Sequence, residues 1–564
     1  MIAKNAVAKK VPAKKVPEKQ TRSASLSDHA FFDPVAYGNG PDDAISDPTA
    51  INESAAITHH TLKLAGKSLK YTATAGHLVI VDPSSSLPAA KLFYVAFTLD
   101  TPASRTSGTG SPKANPSATT NRPVTFFYNG GPGSSSVYVL LGSFAPRRIK
   151  TAMPGFTPPA PYSMEDNTDS LLDESDLVFI NPVGTGYSAA IAPRRNRDFW
   201  GVDQDAHSLA QFIKRYLTAN DRWNSPKFLF GESYGTARSA VLSYLLHEDG
   251  VDLNGITLQS SILDYAQAGS PVGALPTCAC DAWFHGKYRA LPSPKAPADF
   301  VDAVSAFADG DYAKAVHHFP QVDAKTLNTL SEYTGIDPAT LKSWGLDVAS
   351  ANSRGNSLFL IGLLHDQGLA LGSYDGRVTA INTGIAADID PNSGGNDPTM
   401  TAVNGVYTAM WNTYLNEELK FTSNSAFTDL NDQAFQFWDF HHTDPTGAEK
   451  GIDAKGNVVL YTAGDLAATM SLNTDMQVLS ANGYYDYVTP FHQTVTDLKK
   501  MPLLSPTIRE NLAIHFYPSG HMVYLDGPSR TALKADLTTM YQAATSNHAA
   551  VSRIRLLQDR KSAK

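Results

Sequence analysis

Cysteine is nearly absent from the sequence. The 564 residues include only Cys278 and Cys280, which are separated by a single residue. A disulfide between positions this close in the chain would be strained, and two thiolates alone cannot complete a tetrahedral metal site. The sequence therefore predicts a fold that does not depend on disulfides, no metal site, and two thiols that are buried or lie in a loop.

Long hydrophobic runs are also missing. No stretch of about 18 apolar residues occurs, so the sequence predicts no transmembrane segment. The first 22 residues contain seven Lys or Arg and one Glu, without the apolar stretch that a secretory signal peptide requires. We therefore expect a cytoplasmic protein by default, or an exported one if the true start lies elsewhere.

The charge distribution argues against nucleic acid as a partner. The net charge is −8, although the first 22 residues are strongly basic, so the rest of the chain is acidic. The basic part repeats Ala-Lys-Lys-Val-Pro at 8–12 and 13–17, and such sequence cannot bury enough apolar surface to fold. We predict a disordered basic tail over 1–55, and no nucleic-acid partner for the folded part. The composition indicates no particular oligomeric state.

The strongest motif is Gly231-Glu-Ser-Tyr-Gly235. It follows the apolar run 228–230 and precedes the helix-forming residues 237–246. This is the strand–turn–helix setting in which Gly-x-Ser-x-Gly presents a nucleophilic serine. The two glycines relieve the clash that side chains would make in so tight a turn. The following helix directs backbone N–H groups toward the substrate oxygen that becomes negatively charged. Ser233 is therefore the candidate nucleophile.

Short apolar segments and helical patterns predict the order of strands and helices along the chain. Segments 62–81 and 91–99 predict antiparallel strands, whereas later ones follow the βαβ alternation of a mostly parallel sheet (124–128, 176–180, 227–231, 255–260, 476–483 and 512–517). Patterns of helical spacing predict helices on either side of that sheet and between its halves (203–217, 297–307, 312–318, 324–333, 402–419 and 529–543). We therefore predict an α/β fold divided into a tail at 1–55, a core at 56–262 and 463–547, a mainly helical insertion or cap at 263–462, and a basic C-terminal tail at 548–564.

A Gly-rich turn follows the strand predicted at 124–128. Its sequence, Asn129-Gly-Gly-Pro-Gly-Ser-Ser-Ser136, can present backbone N–H groups as an oxyanion hole between a strand and a helix. A phosphate cradle is the alternative, but it would need a Gly-Lys-Ser/Thr ending or an acidic residue placed for a ribose. Neither is present, so the oxyanion hole is favoured.

A serine nucleophile needs a general base and a carboxylate that orients the base, and in folds of this type the chain order is Ser, Asp or Glu, His. Asp486 and His521 follow Ser233 in that order, each just beyond a predicted strand. Asp465 and Asp475 remain rivals to Asp486 on position alone. Other histidines are rejected because they lie within a predicted strand or lack a strand-end setting (His441, His442, His492 and His515).

Five motifs in this order resemble the serine carboxypeptidase family. They are 129–136, Pro182-Val-Gly-Thr-Gly-Tyr-Ser188, 231–235, the loop from Asn482 to Asp486, and Gly520-His-Met-Val523. The resemblance spans roughly residues 60–545, where the insertion corresponds only by its position. It implies an α/β-hydrolase fold and a serine-type carboxypeptidase, which requires no cofactor. The sequence departs from the usual pattern in ways that point to a bacterial branch (Phe127, Ser134, Thr236–Arg238 and Tyr524).

The resemblance also implies roles for individual residues. Ser233 would be the nucleophile, His521 the general base and acid, and Asp486 the orienting carboxylate. Backbone N–H groups of Gly131 and Tyr234 would form the oxyanion hole. The C-terminal carboxylate of the substrate would bind to a pair of side chains (Asn129 and Glu232). Because Glu232 can donate a hydrogen bond only when protonated, and neighbouring carboxylates raise a pKa, we expect activity to be favoured at acid pH.

Two other functions remain as alternatives. An acyltransferase or esterase could use the same scaffold, because the acyl-enzyme is common to all three and only the attacking group differs. The presence of both Asn129 and Glu232 favours peptide or protein C-termini as substrates. A non-catalytic binding protein anchored by its basic tail is disfavoured by the intact triad.

Overall fold

The computed structural model describes residues 27–100, 121–353, 355–382, 397–447, 451–452, 458–503 and 505–546. The strands are β1 (Phe31–Asp33), β2 (Ala55–Leu64), β3 (Lys67–Val81), β4 (Pro88–Leu99), β5 (Val124–Tyr128), β6 (Arg147–Ile149), β7 (Met164–Asp166), β8 (Asp176–Ile180), β9 (Ala189–Ala190), β10 (Lys227–Glu232), β11 (Gly255–Gln259), β12 (Leu369–Leu371), β13 (Thr379–Ile381), β14 (Phe421–Ser423), β15 (Gly451–Ile452), β16 (Val458–Val459), β17 (Gln477–Gly483) and β18 (Leu512–Tyr517).

The α-helices of these ranges are α1 (Val137–Gly142), α2 (Val202–Ala219), α3 (Tyr234–Glu248), α4 (Pro271–Phe284), α5 (Val301–Phe307), α6 (Ala313–His317), α7 (Ala324–Thr334), α8 (Pro338–Ser343), α9 (Leu358–Gly362), α10 (Pro398–Glu417), α11 (Asp432–Gln436), α12 (Ala463–Leu472), α13 (Phe491–Lys500), α14 (Pro506–Arg509) and α15 (Gly527–Thr545). Within the described ranges, no helix has both the length and the apolar character needed to cross a membrane.

A ten-stranded mixed sheet forms the centre of the molecule, in the order β18-β17-β11-β10-β5-β8-β4-β3-β2, with β9 beside β4. The six strands from β18 to β8 run parallel, and β4, β3 and β2 continue the sheet as antiparallel neighbours. This arrangement is the mostly parallel α/β-hydrolase sheet that the sequence predicted. It places the carboxyl end of β10 between the ends of β5 and β11.

The central strands are buried on both faces. Every residue of β5, β8, β10 and β11 is buried, as expected where helices cover both sides of a parallel sheet. Successive side chains of β5 enter different cores, Phe126 on one face and Phe127 on the other. The Phe127 ring stacks on Phe179 and Phe230 at centroid distances of 4.6 and 5.0 Å. This packing fixes the strand from which the Gly-rich turn begins.

The segment between β11 and β17 is mainly helical, as predicted. Its helices enclose a third apolar core, which also receives Tyr484, Tyr485 and Phe491 from the sheet-forming part of the chain. The segment also contains short strands that the sequence did not indicate, because each has only two or three residues. The sequence missed α4 as well, since Pro276 and small residues obscure its helical pattern. Both cysteines lie buried and unpaired within α4.

The prediction of a disordered tail over 1–55 is wrong for residues 27–55. β1 pairs in parallel with β14 of the insertion, and Val35 and Ile45 are buried. The Tyr37 hydroxyl donates a 2.6 Å hydrogen bond to the buried Asp33 carboxylate. The apolar residues here are too sparse to show a periodicity, and they are buried by contact with distant segments. Residues 1–26, most of the loop at 101–123 and the C-terminal tail from 547 lie outside the described residues.

Candidate active site

Ser233 lies at the turn between β10 and α3. Its backbone has φ +60° and ψ −129°, a conformation that residues with a side chain seldom adopt. A Cβ added at Gly231 would lie 2.2 Å from the Gly235 carbonyl oxygen, and one at Gly235 would lie 3.2 Å from the Tyr128 carbonyl oxygen. The turn therefore requires glycine at 231 and leaves little room at 235. The strained strand–turn–helix predicted from the motif is present.

His521 and Asp486 are joined by a hydrogen bond in the interior of the protein. Nδ1 of His521 lies 2.9 Å from Oδ2 of Asp486, and both side chains are buried. Asp486 Oδ1 accepts hydrogen bonds from the N–H groups of Val488 and Thr489, at 3.0 and 2.9 Å. The Thr489 hydroxyl donates to Asp486 Oδ2 at 2.7 Å. These donors fix the carboxylate that orients the imidazole.

Burial by itself lowers the pKa of His521, but the Asp486 carboxylate raises it, and Glu232 and Asp397 act in the same direction. The net result is a pKa above the ordinary value for histidine. The backbone of His521 is held from two sides, since its N–H donates to the Tyr374 carbonyl oxygen at 2.6 Å and its carbonyl oxygen accepts from the Ser260 hydroxyl at 2.7 Å. The imidazole therefore has both a fixed position and a raised proton affinity.

Ser233 and His521 face one cavity of about 900 Å³. Gly131 and Tyr234 line the same cavity. Tyr234 is the first residue of α3, so its N–H has no acceptor within the helix. Gly131 has φ +102°, which turns the backbone at the start of the Gly-rich segment. A Cβ at Gly130 would lie 2.5 Å from the Tyr234 nitrogen, so this segment packs directly on the nucleophile turn.

Asn129 and Glu232 form a buried pair beside Ser233. Nδ2 of Asn129 donates to Oε1 of Glu232 at 2.8 Å, and its Oδ1 accepts from the Val139 N–H in α1 at 3.0 Å. The second Glu232 oxygen accepts from Nε2 of Gln259 at 2.6 Å. Both members of the pair line the cavity. The structure thus brings together the two side chains that the sequence singled out for binding a substrate carboxylate.

The pKa of Glu232 is raised to about 7, mainly by burial and also by the nearby Asp486 carboxylate, although His521, Tyr524 and Asn129 act in the opposite direction. The charged form is disfavoured because a buried carboxylate loses its hydration. Glu232 is therefore largely protonated in acid solution and becomes ionised as the pH passes through about 7.

Arg238 is a supporting residue whose role the sequence did not reveal. It is fully buried on α3, where Nη1 donates to the Asn129 carbonyl oxygen and Nε donates to Asp205 Oδ2 of α2, both at 2.5 Å. Its guanidinium also lies over the rings of Tyr128 and Tyr234, 5.5 and 5.2 Å from their centroids. A basic residue four positions after the motif tyrosine was the only available signal. Arg238 holds the backbone of Asn129 against the nucleophile turn.

Three more polar residues at the site were missed. The Thr489 hydroxyl donates to Asp486, and Gln259, the last residue of the buried strand β11, donates to Glu232. Tyr524, noted only as a departure from the family pattern, is buried with its hydroxyl near Glu232 and Asn129, although it forms no hydrogen bond of ordinary geometry with either. A polar residue ending a buried strand was a usable signal for Gln259.

The rejected candidates belong to other clusters. His442 lies between Asp203 and Asp465, at 2.6 and 2.9 Å, so Asp465 holds a different histidine. His492 is bonded to Asp309 of the insertion at 2.9 Å. His515 lies within β18, 2.9 Å from Asp536. None of these histidines lines the Ser233 cavity.

Within the ranges that the structure describes, no group of three or more His, Cys, Asp or Glu could hold a metal ion. Much of the cavity wall comes from the insertion, including Tyr265 and Met400. The cavity is therefore built jointly by the sheet and the insertion, and Ser233, His521, Asn129 and Glu232 all line it.

Part of the chain is similar to a known protein family. Residues 110–268, which include Ser233 and the Gly-rich turn, match the sequence profile of the serine carboxypeptidases. A search of the curated proteins finds no match. Among solved structures, the chain is similar to Kex1, a prohormone-processing carboxypeptidase from Saccharomyces cerevisiae (14% identity, 82% of this chain, 91% of that chain, TM-score 0.44).

The chain is also similar to solved structures whose names describe other hydrolases. One is a peroxisomal α/β-hydrolase, Lpx1, from Saccharomyces cerevisiae (10% identity, 88% of this chain, 98% of that chain, TM-score 0.32). Another is a monoglyceride lipase from the same yeast (9% identity, 81% of this chain, 93% of that chain, TM-score 0.32). The match over residues 110–268 therefore shows that this part of the chain, which contains Ser233, is similar to the serine carboxypeptidases.

Proposed function

We propose that this protein releases the C-terminal amino acid from peptides through an acyl-enzyme, and that it binds them best at acid pH. The observation that carries the proposal is the buried Asn129–Glu232 pair beside Ser233, with its 2.8 Å hydrogen bond. An esterase or lipase needs the same serine, base and carboxylate, but it has no use for a second buried carboxyl group in the binding cavity. A substrate with a free C-terminal carboxylate does need such a group, because a protonated Glu232 and the Asn129 amide can both donate hydrogen bonds to that carboxylate.

The triad residues have the following roles in this proposal. Ser233 Oγ attacks the carbonyl carbon of the last peptide bond while its proton passes to Nε2 of His521. Asp486, bonded to Nδ1 at 2.9 Å, keeps the imidazole in the required tautomer and stabilises its charged form. His521 then gives the proton to the leaving nitrogen, so the C–N bond breaks and the free amino acid departs. Water adds to the acyl-enzyme by the same steps, with His521 again as base and then acid.

The developing oxyanion is stabilised by backbone N–H groups. We assign these to Gly131 and Tyr234, which line the same cavity as Ser233. Such donors are fixed before the reaction begins, and they act in a cavity where little water screens them. Removal of one preorganised donor typically costs about 10²–10³ in kcat.

The test uses one N-blocked dipeptide in three forms: the free acid, the C-terminal amide and the methyl ester. A carboxypeptidase should convert the free acid with a kcat/KM at least about tenfold above that of the amide, since the amide forfeits charge-assisted hydrogen bonds worth about 1.5–3 kcal/mol. Ser233→Ala should abolish the reaction and the covalent labelling by a fluorophosphonate. Hydrolysis of the ester without the free acid would contradict the proposal and identify an esterase. Transfer of the acyl group to an added amine or alcohol, in place of water, would identify an acyltransferase.

A further inference from the structure

The connection between β12 and β13 (residues 372–378, the β12–β13 turn) belongs to the insertion, but it lies against the loop that carries His521. The N–H of His521 donates to the Tyr374 carbonyl oxygen at 2.6 Å. The Tyr374 ring also meets the imidazole edge to face, with 5.1 Å between the ring centroids. A Cβ added at Gly520 would lie 2.2 Å from that carbonyl oxygen, so the two backbones are in close contact. The insertion therefore holds the histidine through both the backbone and the ring of Tyr374.

The same turn bonds to the chain on both sides of Asp486. The carbonyl oxygen of Ser373 accepts a hydrogen bond from the Tyr487 N–H at 3.0 Å. The Gly376 N–H donates to the Tyr485 carbonyl oxygen at 2.9 Å. Through main-chain hydrogen bonds, one turn of the insertion thus holds the loops of both the base and the carboxylate that orients it.

Arg377 connects this turn to both ends of the segment that carries His521. Its Nη1 donates to the Pro518 carbonyl oxygen at 2.7 Å and to Asp526 Oδ2 at 3.2 Å. Pro518 lies before His521, and Asp526 lies after it, at the start of α15. The Nε and Nη2 groups donate to the two oxygens of Asp375, at 2.9 and 2.7 Å. This buried bidentate pair fixes the guanidinium within the turn while Nη1 bonds to the His521 segment.

Helix α10 supports the turn from the other side. Oδ2 of Asp397 accepts from the N–H and the hydroxyl of Ser373, at 2.6 and 2.9 Å. Oγ1 of Thr399 accepts from the Asp375 N–H at 3.0 Å. The next residue of α10, Met400, lines the Ser233 cavity. The turn is therefore bonded both to the helix that forms the cavity wall and to the loops that carry out proton transfer.

We propose that the β12–β13 turn positions His521 and Asp486 for proton transfer, and that Arg377 is the positioning residue that keeps the turn in place. Arg377 acts through the backbone of the two loops and takes no part in bond breaking. The inference rests on the proposed roles of Ser233 and His521, and it applies to peptide and ester substrates alike. A purely structural role for the Asp375–Arg377 pair is the alternative. Such a role would reduce the amount of folded enzyme, whereas positioning sets the rate of each folded molecule.

Labelling of Ser233 by a fluorophosphonate separates these two effects. The final extent of labelling counts the folded enzyme, and the rate of labelling reports the activation of Ser233 by His521. Arg377→Met should lower the labelling rate, and kcat per labelled site for an N-blocked dipeptide, by about tenfold to a hundredfold, because a misplacement of about 1 Å can cost about 10² in rate. KM should stay within twofold, since the Asn129–Glu232 pair that is proposed to bind the substrate is unchanged.

Arg222→Met is the matched control. Arg222 is as buried as Arg377 and forms an ion pair with Asp176, the first residue of β8. This pair lies at the amino end of the parallel strands, whereas Ser233 follows their carboxyl end. Arg222→Met therefore removes a buried arginine from a carboxylate far from the site. It should lower the extent of labelling after mild heating, as Arg377→Met does, and leave the labelling rate and kcat within twofold of wild type.

The labelling rates decide the inference. A wild-type rate in Arg377→Met would overturn it, and so would equal losses of rate in Arg377→Met and Arg222→Met. If Arg377→Met yields no labelled enzyme, Thr399→Val provides the test, because it removes an acceptor of the turn and leaves no unpaired charge. We then expect full labelling at a rate at least about threefold below wild type, and an unchanged rate would overturn the inference. If wild type is labelled but releases no amino acid, the proposed carboxypeptidase function fails, and the same labelling rates still decide the role of Arg377.

Discussion

At the residue scale, Thr489 completes the arrangement of the base and its carboxylate. Its hydroxyl donates to Asp486 Oδ2 at 2.7 Å and also lies 3.2 Å from Nδ1 of His521. A hydroxyl has one hydrogen to donate, so Thr489 bonds to the carboxylate and leaves the imidazole N–H for Asp486. Thr489 is accordingly a positioning residue, acting on His521 through Asp486.

Thr489→Val should lower kcat by about tenfold, because a buried carboxylate oxygen loses a donor at a cost of about 1–3 kcal/mol. KM for an N-blocked dipeptide should stay within twofold, since Thr489 does not bind the substrate's C-terminus. Thr489→Ser keeps the hydroxyl and should retain at least a third of the wild-type kcat. Steady-state kinetics of the two variants provides the test. An equal loss in both would contradict this role, because Thr489→Ser keeps the hydroxyl that donates to Asp486.

The sequence indicated some of these residues and not others, for a physical reason. Ser233, Asp486 and His521 each follow a strand of the central sheet, and such an order is visible in the sequence. Thr489 lies three residues after Asp486, but no motif marks its hydroxyl as a donor to that carboxylate, and the contact of Gln259 with Glu232 joins two neighbouring strands. Tyr524 was visible only as an unexpected residue after His521. Its burial next to Glu232 emerges from packing.

At the scale of elements, helices α2 and α3 are connected by a buried ion pair. Asp205 and Arg238 are at most 2% exposed, and Arg238 also bonds to the Asn129 carbonyl oxygen. Breaking a buried pair by removing one member leaves an uncompensated charge and costs more than replacing both members.

Arg238→Met should therefore lower the free energy of unfolding by about 3–5 kcal/mol. The double variant Asp205→Leu/Arg238→Met should regain much of that loss, because no buried charge remains unpaired. Its KM for free-acid dipeptides should nevertheless stay above the wild-type value, since Asn129 loses the donor that holds its carbonyl oxygen. Urea unfolding and steady-state kinetics check the two effects separately. A double variant less stable than Arg238→Met would contradict this role of the pair.

Elements with a strong local pattern were predictable, and those that depend on distant partners were not. Strands β5, β8 and β18 have the predicted bounds, because each is a short and mostly apolar run. The α3 helix begins at Tyr234, earlier than its apolar pattern, because the strained turn at Ser233 starts it. β1 gains its stability from pairing with β14, almost four hundred residues later, which the sequence around it does not show.

For the whole molecule, the site couples folding to pH. Glu232 has a pKa of about 7 in the folded protein, against an ordinary value of 4.5. Between these values the folded state holds a proton that the unfolded state has lost, so stability decreases as pH rises through this window. Above about pH 7 Glu232 is ionised in the folded state as well, and the free-energy cost of burying its charge is then fully present.

Glu232→Gln removes this cost, since glutamine carries no charge at any pH. Its unfolding free energy, relative to wild type, should therefore increase by about 3 kcal/mol between pH 4 and pH 8. Gln259 has an amide oxygen without a partner, so rotation of its amide can accommodate the new side chain. Urea unfolding of both proteins at the two pH values gives the difference. A constant difference would show that Glu232 has an ordinary pKa in the folded state.

Ser233 is proposed to cleave peptides whose free carboxylate binds to a protonated Glu232. The most direct test is the pH dependence of kcat and KM from pH 4 to 9 for the release of the last amino acid from an N-blocked dipeptide. KM should rise about tenfold per pH unit above about pH 7, as Glu232 ionises, while kcat falls on the acid side as His521 gains a proton. Serine-dependent release with a KM that does not change between pH 5 and pH 9 would contradict the account.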